Sequence, residues 1–155
     1  MNNEKVQTKA EIVIWDNKYS IGVELIDAQH KQLVVLTNEL FQACMLGESA
    51  VQTVFKDAMS RMVDYVRIHF SEEQELLQRV KFPDYSDHKS QHDRLIQQIL
   101  SAVKEHKEGK KFVPNQFVRT LRDWILSHIA VYDKAFGVYV QEQIKKGVLT
   151  EKDLK

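Results

Sequence analysis

The sequence predicts an all-α protein: an up-down-up-down antiparallel four-helix bundle preceded by an N-terminal arm. Three observations carry this expectation. Apolar residues recur at spacings of three and four over four long stretches. Gly47, Pro83, Gly109 and Pro114 punctuate the gaps between those stretches. The gaps are short, which makes successive helices antiparallel neighbours. A chain of 155 residues, 43% hydrophobic and 28% charged, suits one globular domain with a single core. The arm is residues 1–22, the bundle 23–146, and 147–155 a polar tail expected to fray.

Each element follows from its residues. In the arm, Ile12, Ile14, Trp15 and Tyr19 are apolar and are expected to pack across the bundle. The first helix, from about Val23 to Met45, has a seam of Val23, Ile26, His30, Leu33, Leu40 and Cys44. The second, from about Ala50 to Val80, has Phe55, Met59, Met62, Val66, His69, Glu73 and Leu76. The third, from about Asp87 to Glu108, has His88, His92, Leu95, Ile99 and Val103. The fourth, from about Asn115 to Ile144, has Phe117, Leu121, Trp124 or Ile125, and His128. Ser49, Ser86 and Asn115 are the expected N-caps.

The bulk numbers set aside several classes of function. Lys+Arg and Asp+Glu are both 22, so the net charge is zero, with no footprint for nucleic acid or an anionic membrane. The run from Lys107 to Lys111 reads as a solvated helix end. Cys44 is the one cysteine, so no intramolecular disulfide can form and a reducing compartment is expected. Its thiol reads as a small apolar group on a packed face. The first eleven residues lack the apolar stretch of a signal peptide, and no run reaches the ~20 apolar residues of a membrane span. A soluble, cytoplasmic monomer is expected, with no bound nucleic acid or membrane and no specified protein partner.

Every helix seam carries polar residues, and each would be costly to bury alone, on the order of 2–7 kcal/mol for a neutral group. Their heights match. In an up-down bundle, residues equidistant from a turn lie at one level. The midpoint of His30 and His69 falls between 49 and 50, just after Gly47; that of Glu73 and His88 falls between 80 and 81, just before Pro83. That of His92 and His128 is 110, between Gly109 and Pro114. Three reflections across three turns place these residues in one layer. His69 and Glu73, like His88 and His92, are four apart and so share a helix face. His128 and Asp133 are five apart, about 140° in an ideal α-helix, so Asp133 must reach round or the helix must widen into a π-bulge. His106 lies 14 residues beyond His92, about 21 Å along the axis, and cannot join the layer.

Five imidazoles and two carboxylates are too many donors for one ion. Imidazole with carboxylate suits iron, zinc, copper or manganese. Zinc prefers closed sites of four ligands. Seven donors shared by two ions, with the carboxylates bridging, leave an unequal and open site, which favours a redox-active iron pair.

In these residues the chain resembles the hemerythrin family, in its bacterial single-domain form. The motifs are Trp15, Tyr19, Gly22 and Asp27-Ala28-Gln29-His30; His69-Phe70-x-x-Glu73; Pro83-x-Tyr85-x-x-His88-x-x-x-His92; and His128-Ile129-x-x-x-Asp133. They run from Trp15 to about Tyr139. The resemblance implies that His88, His92 and His128 hold one iron and that His30 and His69 hold the other, leaving a position open for dioxygen. It implies that Glu73 and Asp133 bridge the pair beside an oxo or hydroxo group. Reversible dioxygen binding follows, by a carrier or store and not an enzyme. The alternative is an oxygen or redox sensor acting through a partner protein, for which a fused signalling domain would speak; 155 residues leave no room for one. A ferritin-like di-iron enzyme would use Glu-x-x-His motifs, and the sequence has none. Seam spacing places Ile26, Leu33, Val66 and Ile125 around the oxygen pocket.

Overall fold

A computed structural model describes residues 9–108 and 114–155. Four rods form the bundle. Helices α1 (Glu24–Cys44), α2 (Glu48–Arg79) and α3 (Tyr85–Lys107) make three of them. The fourth comprises α4 (Pro114–His128), a π-helical turn (Ile129–Asp133) and α5 (Lys134–Lys145). There is no strand among the described residues. α1 packs on α2 and α4, and α3 on the same two, which closes a four-sided ring.

The seam of α2 is buried along its whole length, from Phe55 through Met59, Met62, Val66, His69 and Glu73 to Leu76. In α1 and α3 the seam fades toward the end of the bundle remote from the polar layer, where Cys44 and Val103 are half-buried. Each large aliphatic side chain buried in this way stabilises the fold by roughly 1.5–3 kcal/mol. Such stripes must offset the desolvation of the polar residues that share them.

The helix starts differ from expectation. The N-caps of α2 and α3 are Gly47 and Asp84, neither with a side-chain cap, so Ser49 and Ser86 lie inside their helices. α4 begins at Pro114, whose missing N–H would be an orphan there in any case. Asn115 is therefore helical, and its side-chain oxygen accepts a hydrogen bond from Arg119. The expected turn residue Gly109 lies outside the described residues.

The arm's described residues, 9–22, pack with one reversal of facing. Val13 is buried, while Ile14 is 73% exposed and not packed as expected. The cause is Asn38 on α1. Its side-chain oxygen accepts from the Ile12 and Val13 N–H groups, and its amide donates to the Val13 carbonyl. This clamps an extended strand-like segment whose successive side chains face opposite ways. Farther on, the Asp27 carboxylate accepts from the Ser20 hydroxyl at 2.6 Å and the Ile21 N–H at 2.8 Å. Gly137 on α5 admits this segment: a Cβ there would lie 2.2 Å from the Ile21 carbonyl oxygen. The tail is docked and not frayed. Leu154 is buried, Thr150 and Asp153 form a capping box, and Arg79 donates to the Lys155 carbonyl at 2.9 Å.

The α2–α3 connection decides how Glu73 and His88 meet. It is a Schellman turn. The Phe82 N–H bonds to the Leu77 carbonyl at 2.9 Å and the Lys81 N–H to that of Gln78 at 3.0 Å. Phe82 and Leu77 are both buried beside it. Tyr139 on α5 ties it down, its hydroxyl shared between the Val80 and Lys81 carbonyls at 2.9 and 3.1 Å. The left-handed position is filled by Lys81, at φ 56°, where glycine is the unstrained choice. Lys81→Gly should therefore stabilise the chain by about 0.5–1 kcal/mol, net of the entropy glycine adds to the unfolded state. Thermal unfolding should move up by about 1–4 °C. An unchanged or lower midpoint would mean that Lys81 makes a compensating contact.

Candidate metal centre

The seven polar seam residues lie in one layer, each no more than 5% exposed. α2 supplies His69 and Glu73 from successive turns, α3 supplies His88 and His92 in the same way, and α1 supplies His30. The π-turn settles the five-residue step. The Lys134 N–H bonds back to the Ile129 carbonyl, five residues earlier, so the widened turn brings Asp133 round to the face of His128. The Asp133 Oδ1 to His128 Nε2 distance is 3.0 Å. His106 is exposed near the end of α3 and belongs to neither donor cluster.

Two clusters share Glu73. One comprises Glu73, His88, His92, His128 and Asp133; the other comprises His30, His69 and Glu73. The carboxylates span them. Asp133 sets Oδ2 3.0 Å from His30 Nε2, and Oδ1 3.1 Å from His88 Nε2. Glu73 Oε2 is 3.1 Å from His92 Nε2, 3.4 Å from His88 Nε2 and 3.9 Å from His69 Nε2.

These approaches are not hydrogen bonds. Both nitrogens of His30 and His88 and both oxygens of Glu73 and Asp133 are buried without a hydrogen-bond partner. They come close without the directions that a hydrogen bond requires. So many orphaned atoms are costly in a metal-free core. Imidazole nitrogens and carboxylate oxygens in two clusters with a common acid fit a pair of borderline-to-hard cations, iron among them.

Neighbours hold the imidazoles in orientation. His69 Nδ1 lies 2.7 Å from Gln29 Oε1, so its N–H donates there and Nε2 is left to face the site. The Gln29 amide in turn donates to Glu72. The Gln74 amide sits 3.0 Å from His92 Nδ1. Phe70 stacks on His92 at 3.7 Å between ring centroids and 3° between planes. His128 lies between Trp124, at 4.6 Å, and Tyr132, at 5.3 Å, both nearly parallel to it. Sequence reasoning missed these supports. Their signal was proximity to the ligand positions: Gln29, Phe70 and Gln74 adjoin one, and Trp124 and Tyr132 stand four residues either side of His128.

Charge in the layer is unevenly settled. Burial pushes the His69 imidazole down to about 4, and it pushes His92 down too. Burial also opposes charge on His88 and His30, but the adjacent carboxylates win. His88 is raised to about 9 by Asp133 and Glu73, and His30 is raised chiefly by Asp133. Burial acts to raise both Glu73 and Asp133, and Asp133 also repels charge on Glu73, yet the surrounding imidazoles hold both below the usual carboxylate range.

Beside the layer is a small cavity of about 10 Å³, lined by His30, His69, His128 and Asp133 and by apolar side chains. Three of the expected pocket residues, Leu33, Val66 and Ile125, line it; Ile26 does not. The bundle's topology gives the reason. Chain direction alternates, so Leu33 beyond His30, Val66 before His69 and Ile125 before His128 all lie on one side of the layer. Ile26 precedes His30 and falls on the other. Leu95, Phe70, Trp124 and Ile129 complete the lining.

Comparison with known proteins gives a consistent answer. The Hemerythrin HHE cation binding domain profile matches residues 21–138. The bacteriohemerythrin of Methylococcus capsulatus is 28% identical over 120 residues, covering 77% of this chain and 89% of that one. A hemerythrin-like protein of Naegleria gruberi is 27% identical over 122 residues, covering 79% and 88%. The crystal structure of a wild-type hemerythrin superposes with a TM-score of 0.75 at 27% identity, covering 81% of this chain and 95% of that one.

The titrating groups set the pH profile of the metal-free chain. Unfolded imidazoles titrate near 6.5. As pH falls from there toward 4, the unfolded chain takes up a proton that native His69 refuses, so stability is lost. The ion pairs of His88 are complete below 6.5 and are lost as pH rises through about 9. Metal-free stability should therefore peak near pH 6.5 and fall on both sides, by on the order of 3 kcal/mol at the extremes. Denaturant unfolding at pH 5, 6.5 and 9 checks this; a steady rise from 5 to 9 would contradict it.

Proposed function

The chain belongs to the hemerythrin family, and we propose that it binds dioxygen reversibly at the di-iron centre, as a carrier or store and not as an enzyme. In this reading His88, His92 and His128 hold one iron, His30 and His69 hold the other, and Glu73 and Asp133 bridge them. The functional unit is the bundle, residues 23–146, with residues 1–22 as a supporting arm and 147–155 as a docked tail. The protein acts as a monomer, with dioxygen as its ligand and no nucleic acid or membrane. Among the described residues, no helix is long and apolar enough to cross a membrane.

The observation that carries the proposal is the one-sidedness of the cavity. It touches both histidines of the smaller cluster, His30 and His69, but of the larger cluster only His128 and Asp133, and it reaches neither His88 nor His92. An open coordination position on that side would face Leu33, Val66, Leu95 and Ile125. When bound, the iron pair supplies the electrons that hold dioxygen. The chain's own residues keep the place dry. About 10 Å³ is room for roughly one small molecule, and away from the donor side the lining is apolar and gives water no partners. A wall of this kind suppresses the side reactions that water or a stray proton would start.

Two measurements test the reading. Glu73→Ala or Asp133→Ala should each release both irons, because Glu73 belongs to both clusters and Asp133 reaches His30 as well as His88, whereas His106→Ala should leave two irons per chain. Iron lost from His106→Ala, or one iron retained by Asp133→Ala, would break the assignment.

Ile125→Asn tests the wall. It brings a hydrogen-bonding group to a position 4% exposed in the cavity lining, without touching a donor. Decay of the oxygenated spectrum in air should quicken by about tenfold or more, as expected for a loss of 1–2 kcal/mol of protection. Iron content should stay the same. An unchanged decay would mean that Ile125 does not guard the bound gas.

A further inference from the structure

Val66 lines two cavities at once. One is the pocket beside the metal centre. The other, also of about 10 Å³, lies between α2 and α3 and is lined by Val63, Val66, Arg67, Ile96, Ile99 and Leu100. Exposure falls steadily inward. Leu100 is 41% exposed and Arg67 is exposed at the rim; Val63 and Ile96 are half-buried; Ile99 and Val66 are 3% and 2% exposed.

We propose that dioxygen enters and leaves the centre through this outer cavity, with Val66 as the partition between it and the metal pocket. The inference rests on the dioxygen-binding reading of the site. Five of the six lining residues are aliphatic, and Arg67 can carry its charge out into water along its own stem. A neutral diatomic gas loses little on entering such a passage. Water or an anion would surrender hydrogen bonds and find none, at a cost of several kcal/mol. Val66 is β-branched and stiff, so passage needs its brief displacement and not a standing channel. The one lining residue of the inner pocket that is not fully buried, Trp124, is pinned by its stacking on His128. The opposite side of the layer is closed by Ile26, Leu76, Leu77 and Phe136, all no more than 2% exposed.

A passage belongs to neither end state, which gives it a distinctive kinetic signature. Ile96→Trp should fill the outer cavity and slow dioxygen binding and release by the same factor, about tenfold. The equilibrium affinity, the oxygenated spectrum and the iron content should not change. Val63→Phe narrows the same cavity from α2 and should act alike, which covers misfolding of the first variant. Unchanged rates in a plugged variant that still takes up iron and oxygenates would overturn the passage. So would slowed binding with unslowed release. A wild-type chain that loads iron but never oxygenates would instead sink the functional reading. The passage can then still be judged from crystals of the iron-loaded protein under xenon. Xenon between Val63, Ile96 and Leu100 supports it; xenon beside Trp124 with none in the outer cavity overturns it.

Discussion

The constraint on which the structure depends is the desolvation of seven polar side chains in the seam of a small bundle. All are buried, and several lack even one hydrogen bond. A core of this kind is destabilised unless something satisfies all the donors at once, and a pair of cations does so. The bundle and the metal centre are thus one problem. The apolar seam residues supply the burial that closes the layer, and the layer sets where each helix must stand in rotation and height.

That demand explains features otherwise without purpose. An ideal helix cannot present His128 and Asp133 to one point, so the fourth rod gives up α-helical geometry for a single turn. Glu73 and His88 meet only if the chain reverses tightly after Arg79. The Schellman turn does this even with Lys81 in a conformation that costs it energy, helped by Tyr139 from across the bundle. The arm is fastened near the same end. Lys134, next to Asp133, donates to the Ser20 carbonyl at 2.9 Å, and Gly137 lets Ile21 approach. The segment that brings Asp133 into the layer is therefore braced from the N-terminal side.

Much of this was legible in the sequence because it follows from periodicity. Seam spacing gives the helices, and reflection across turns gives the polar layer without coordinates. The step of five from His128 to Asp133 announces an irregular turn. Other features depend on contacts between distant segments, which periodicity does not encode. Ile14 reads as core in any apolar count, yet it faces outward because Asn38 fixes the register of the arm. Leu154 sits in a polar tail, yet it is buried because Arg79 and the Thr150 cap fold the tail back. Serine and asparagine near helix starts suggested caps, but helix starts respond to the preceding turn and shift by one or two residues. Ile26 shows the remaining kind of error. Spacing places a residue one turn from a ligand, but only chain direction says on which side.

That direction matters for what the site can do. Because the rods alternate, the residues a turn away on one side of the layer come from the later part of α1 and α3 and the earlier part of α2 and α4. On this side the neighbours are mainly aliphatic and leave a small void. On the other, Phe82, Phe136 and Tyr139 pack edge to face at 5.4–5.6 Å, and the turn closes over them. An otherwise symmetrical bundle thus becomes polarised along its axis, with one side braced and the other yielding. His30 and His69 meet the yielding side, as do His128 and Asp133, while His92 and His128 are held by stacked aromatic rings. Chain direction thus decides which face of the layer is walled by aliphatic side chains and which is braced by the turn.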